Sequence, residues 1–174
     1  MAALVCLVAG TIHPANAVDT ATAVNDPKAA TKAFYDTLSK HEVSGLPRGD
    51  AWKSLKSQMT PKLIAKLQAA MAEQAAFMKK NPDEKPPWIE GDLFTSLFEG
   101  AHTHAEGSAR ISEHQAEVPV QFTYTEGGST TKWTDTLILQ KSAAGRWLVD
   151  DVRYGGGWPM ASKGLLSEAL DARE

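Results

Sequence analysis

The chain has 174 residues, a hydrophobic share of 43% and a formal net charge of -3. That length bounds it to one domain, or one domain plus a processed segment, with enough apolar residues for one core. The mild negative charge and the lack of a basic stripe leave no electrostatic footing for nucleic acid or other polyanions as partners.

The first apolar run, Ala2 to Gly10, is too short to span a bilayer as a helix. Small and polar residues follow and end in Ala15-Asn16-Ala17, the A-x-A pattern of a secretory cleavage site. No Lys or Arg precedes Lys28, so the basic start of a signal peptide is missing. Either the true start lies upstream or the segment is not a signal. The expected organisation is a signal peptide over 1–17, a flexible leader over 18–25 and a single domain over 26–174. Cleavage near Ala17 predicts a periplasmic or secreted protein of a bacterium, with no integral membrane segment in the mature chain. The only cysteine, Cys6, lies in the leading run. A mature chain from about Val18 therefore has no disulfide framework, thiolate nucleophile or thiolate metal site.

Asp26-Pro27 predicts a helix start, an N-cap acceptor followed by proline at the first helical position. Ala30, Phe34 and Leu38 then share one face, and the helix is expected to stop near His41. A short second helix is expected with Asp50 as its cap and Trp52, Leu55 and Met59 turned inward. Thr60-Pro61 opens a long amphipathic helix, with Leu63, Ile64, Leu67, Ala70, Met71, Ala75 and Met78 apolar and Lys79-Lys80 favouring its C-terminal dipole. Its Met residues and Phe77 read as core packing rather than a ligand wall. Asn81 to Pro87 is a proline-rich loop. Trp88 to Glu99 reads as a loop with a short helical turn that returns aromatic residues to the sheet.

Strands are expected over Gly107–His114 and Glu117–Thr125, the latter with Val118, Val120, Phe122 and Tyr124 on one face. Glu126-Gly127-Gly128-Ser129 is a hairpin turn into Thr131–Gln140, where Trp133, Asp135, Leu137 and Leu139 share a face. A second turn, Lys141 to Gly145, leads into a strand from Trp147. Along it, Trp147 and Val149 have one parity while Val152 and Tyr154 have the other. A single β-bulge near Asp150-Asp151 restores them to one side and bends the strand; the plainer alternative is a two-faced strand against a second layer. After Gly155-Gly156-Gly157 a closing helix is expected from about Lys163, capped by Ser162. Helices first, an antiparallel meander and a closing helix make an α+β fold.

Three stretches carry a resemblance: Lys32-Ala-Phe-Tyr-Asp36, Gly91-Asp-Leu-Phe-Thr95, and Trp147-Leu-Val-Asp-Asp-Val-Arg-Tyr154 with its glycine exit. Together with the element order, they resemble the nuclear transport factor 2-like superfamily, and more narrowly the bacterial exported family catalogued as domain of unknown function 3828. Leu93 stands where that family usually has proline. The resemblance spans roughly residues 26 to 172 and implies N-terminal helices packed on a curved antiparallel sheet, a cone-like fold with a cavity. It carries over no catalytic residue, and it allows a homodimer.

Asp135 beside Trp133 and Leu137 is a candidate general base if burial raises its pKa, with Tyr124 as the oxyanion donor, as in isomerase relatives of the superfamily. The plainer reading pairs Asp135 with Arg110, Lys132 or Arg153, or sets it at the solvent rim. Asp150-Asp151 reads as bulge geometry with a salt bridge to Arg153 rather than an acidic pair for catalysis. His102-Thr-His104 places two imidazoles on one face if it is a strand, with Glu99, Glu106 or His114 as a third metal ligand; exposed loop histidines are the plainer reading. The glycine exit lacks the pattern of a phosphate cradle, and no nucleophile elbow is present. No metal and no cofactor is therefore expected.

The expected function is a non-catalytic exported envelope protein that binds a small molecule or a protein partner through the concave face of its sheet. Trp88, Phe94, Tyr124, Trp133, Asp135, Trp147 and Tyr154 are the expected lining, aromatic with one or two polar groups. The alternatives are an inhibitor or immunity-type protein using the Asn81–Trp88 loop or the aromatic rim, and an isomerase or dehydratase using Asp135 and Tyr124.

Overall fold

A computed structural model describes residues 25–171. The expected signal segment and nearly all of the leader lie outside the described residues. The Asp26 side chain accepts from the Lys28 and Ala29 amides and opens α1 (Pro27–Lys40), as its sequence predicts. The inward stripe of α1 is Thr31, Phe34, Tyr35 and Leu38, with Ala30 half-buried beside it. In α2 (Gly49–Lys56) the cap position falls on Arg48. Asp50 lies inside the first turn and pairs with Lys53 instead, because the residue ahead of the helix is the one held extended. Thr60 caps α3 (Pro61–Lys80) through its hydroxyl, which accepts from the Leu63 amide.

The buried stripe of α3 runs Leu63, Leu67, Ala70 and Gln74; Ala75 and Met78, expected inside, are exposed. Gln74 holds the helical spacing and is polar for a reason. It accepts from Arg48 and donates to the Pro87 carbonyl, tying α3 to the loop that follows it. That loop, residues 81–102, contains no helical turn. Its backbone is instead fixed by partners remote in sequence, such as the bonds from Gly45 N to Gly91 O (2.6 Å) and Leu46 N to Trp88 O (3.1 Å).

The strands are β1 (Thr103–Glu106), β2 (Arg110–Ser112), β3 (Gln115–Glu126), β4 (Ser129–Lys141) and β5 (Trp147–Arg153). They form an antiparallel sheet in the order β1-β3-β4-β5, with β2 also on β3, and the sheet is curved and unclosed. The strand expected over Gly107–His114 shrinks to β2. A separate strand, β1, forms earlier on the same edge, because Gly107 must pass against Pro119, where a Cβ would approach to 2.8 Å. Gly127 and Gly128 both take positive φ, the two-residue turn whose twist suits a hairpin.

In the β4–β5 ladder Leu137 faces Val152 and Leu139 faces Val149, with a register shift between Ile138 and Leu139. Asp150 is thus the extra residue of the expected bulge. Val149 and Val152 both point inward, at 1% and 0% exposure. Phe34, Leu63 and Leu67 from the helices meet Val118, Val120, Leu137 and Leu139 on the concave face in one core. Each large side chain so buried contributes about 1.5–3 kcal/mol.

The closing helix α4 is shorter than expected, Leu166–Ala169. Leu165 is held extended by an antiparallel bridge to Arg153, and Gly164 takes positive φ, so strand-like pairing delays the helix. Ser162 does not cap it; its amide donates to Ser96 O at 3.0 Å. Among the described residues no helix is long and apolar enough to cross a membrane.

Candidate functional site

Four of the seven expected lining residues converge on residues 93–96 of the long loop. Asp135 is 1% exposed and carries neither Arg110, Lys132 nor Arg153. Its Oδ2 accepts from Ser96 N at 2.8 Å and Trp133 Nε1 at 3.0 Å. Its Oδ1 accepts from the Ser96 hydroxyl and from Gly155 N at 2.8 Å. Ser96 Oγ in turn accepts from Gly155 N (3.1 Å) and Gly156 N (3.0 Å). This network explains the glycine exit: a Cβ on Gly155 would stand 2.1 Å from Thr134 O, so only glycine lets the backbone reach the carboxylate. Phe94 packs edge-on to Phe34 at 5.5 Å, and the Tyr154 hydroxyl donates to Leu93 O at 2.6 Å. Tyr35 donates to Phe94 O at 3.1 Å, and burial holds its phenol well above its ordinary pKa. These contacts pin the loop to the concave face.

The other three stand apart. Tyr124 pairs with Thr131 and Trp147 with Lys141, at opposite ends of β4, while Trp88 is half-buried in the loop. Tyr124 is four residues along the ladder from Asp135, about 13 Å at 3.3 Å per residue. Its ring lies against His102 at 4.6 Å. Asp135 and Tyr124 therefore do not flank a common atom, and the Asp135 oxygens are already occupied by donors.

The bulge sends its two carboxylates to different layers. Asp150 accepts from Thr60 Oγ1 (2.8 Å) and Lys62 Nζ (2.9 Å) at the start of α3. Asp151 accepts from Ser167 N at 3.0 Å and Ser167 Oγ at 2.5 Å at the start of α4. Arg153, the expected partner, pairs with Glu117 at 2.8 Å instead. The histidines are not both loop residues: His104 is in β1, with Nδ1 on Glu106 Oε1 at 2.6 Å and Nε2 facing Asp36 at 3.5 Å. His102 precedes the strand and accepts from Thr125 N. Among the described residues no group of His, Cys, Asp and Glu is placed to hold a metal ion.

Beside the pinned segment lies a cleft of about 450 Å³, open to solvent, between the C-terminal end of α1, residues 92–102 and β1. None of the seven expected residues lines it. Its apolar walls are Tyr35, Phe98 and Phe122, and its acidic ones Glu42, Asp92 and Glu99. Phe122 belongs to the expected inward stripe of β3, so the cleft opens along the concave face at the β1 edge.

Asp92 is the electrostatic anomaly. Its Oδ1 accepts from Phe94 N (2.6 Å) and Thr95 N (3.1 Å), an Asx-type turn that shapes the loop. Part of the side chain faces the cleft, yet it sits deep enough that burial pushes it up to about 6, against those hydrogen bonds and with help from nearby Asp135. It forms no ion pair among the described residues. The sequence signal for this site is the long loop itself, since structureless connections of that length are uncommon and often functional. Gly91-Asp92 stands in it as a turn pair. Compared with known proteins, the chain matches no family model, no curated protein and no solved structure.

Proposed function

We propose that the chain is a non-catalytic binding protein of the bacterial envelope, taking a small ligand into the cleft between α1, residues 92–102 and β1. The observation that carries this reading is Asp92, a carboxyl kept largely desolvated and without a cation at the wall of an open, aromatic-lined cleft. Perturbed carboxyls in clefts mark functional sites because their stability cost has no structural return. Binding rather than turnover is favoured because the other buried carboxylate nearby, Asp135, is fully engaged by donors, which also weakens the isomerase alternative.

Membership of the nuclear transport factor 2-like superfamily, and of the exported family of unknown function within it, is part of the proposal. The bent, unclosed sheet with helices on its concave side supports it. Export is supported by the apolar run and the Ala15-Asn16-Ala17 pattern. Native mass spectrometry of the chain purified without denaturation tests the binding reading. An added small-molecule mass that is lost on denaturation supports it; a bare chain mass from cells fractionated under the same conditions counts against it. Fractionation with N-terminal sequencing tests export: a mature start near Val18 in the envelope fraction is expected, and a full-length cytoplasmic chain overturns that part.

A further inference from the structure

We propose that the cleft selects a small organic cation, an ammonium group on an apolar body, over neutral and anionic molecules of the same shape. The inference rests on the reading of the cleft as a small-ligand site.

Three carboxylates from three places in the fold face one space: Glu42 after α1, Asp92 early in the loop and Glu99 late in it. No Lys or Arg is among the lining residues. The two lining histidines offer no free positive charge, since His104 is held by Glu106 and Asp36 and His102 uses Nδ1 as an acceptor. The field in the cleft is therefore negative, and low-dielectric walls concentrate it. An anion would meet repulsion from three sides.

Acidic groups alone would describe a solvated rim. Two further observations turn this rim into a site for a cation with an apolar body. The first is Asp92, a carboxyl buried beside the cleft and pointing into it with no cationic partner among the described residues. The second is the aromatic surface. Phe98 is 56% exposed, yet its ring is seated on Gly91, where an added Cβ would lie 2.4 Å from it, and its carbonyl accepts from Asp92 N at 2.8 Å. An exposed ring fixed beside carboxylates presents its negative face to a cation. Phe122 and Tyr35 form the floor against which an apolar body packs.

The test uses three probes of matched shape on the full chain at low ionic strength: benzyltrimethylammonium, benzyl alcohol and benzoate. Amide chemical shifts are followed over residues 92–102. The expected result is saturable perturbation by the ammonium probe at least about tenfold tighter than by the alcohol, and none by benzoate. Glu42 and Glu99 are exposed, so Glu42→Gln with Glu99→Gln keeps the fold. This pair is expected to weaken the cation about three- to tenfold and leave the alcohol unchanged. Asp92→Asn is expected to weaken the cation by a further factor of about ten. Equal or tighter binding of the alcohol or benzoate overturns the cation preference while leaving the cleft as a ligand site. Cation shifts that survive all three substitutions also overturn it. If no probe perturbs residues 92–102, the small-ligand reading falls together with the inference.

Discussion

Replacing Asp92 with asparagine should make the protein more stable at neutral pH and leave it unchanged in acid. The asparagine side chain keeps an oxygen for the Phe94 and Thr95 amides, at 2.6 and 3.1 Å in the parent, so the turn survives. What it removes is a carboxylate that burial disfavours. The folded carboxyl titrates at about 6 against an ordinary value of 3.8. A raised folded pKa means that folding takes up a proton between those values. The contribution is then fully present below about 3.8 and is lost as pH rises through about 6. The interval corresponds to roughly 3 kcal/mol, reduced to about 2 kcal/mol because the side chain partly faces the cleft and water screens it. Urea denaturation of parent and variant in half-unit steps from pH 4 to 8 measures the difference directly. Expected is no difference near pH 4 and about 2 kcal/mol in favour of asparagine at pH 7.5, or about 4–8 °C in Tm for a domain of this size. A difference that stays flat with pH, or favours the parent at pH 7.5, would refute both the burial of the charge and the claim that the parent residue sacrifices stability for binding.

The Asp135 network should behave in the opposite sense. Asp135→Ala strands the Ser96 and Gly155 amides, the Ser96 hydroxyl and the Trp133 indole in the core, and should destabilise by about 4 kcal/mol or more, read by urea midpoint; a loss under about 1 kcal/mol would mean that these donors find water. Gly155→Ala forces a methyl to within 2.1 Å of Thr134 O, and should cost about 3 kcal/mol while shifting residues 93–96 in amide spectra. A neutral Gly155→Ala would show that the backbone there is not held against β4.

Much of the local architecture is legible in the residues themselves. Asp26-Pro27 and Thr60-Pro61 start helices because a short acceptor before a proline satisfies the first free amides whatever packs later. Gly127-Gly128 makes its hairpin turn for a similarly local reason. The parity change between Val149 and Val152 announces the bulge, since one extra residue is the only way to bury both on one face. Tertiary structure decided the rest. Gln74 occupies a core position that hydropathy assigns outward, because Arg48 and the Pro87 carbonyl meet it there. Asp135 has the expected face but partners from residues 96 and 155, which no spacing along the chain connects to it. The cleft is assembled from the end of α1, an irregular loop and the β1 edge, so its aromatic and acidic groups share no period. Periodicity reports which way a side chain points from its own element. It carries no information on which distant loop lies across that face, and here the loop fills the concave surface with Phe94 and Ser96 and displaces the open space to its flank.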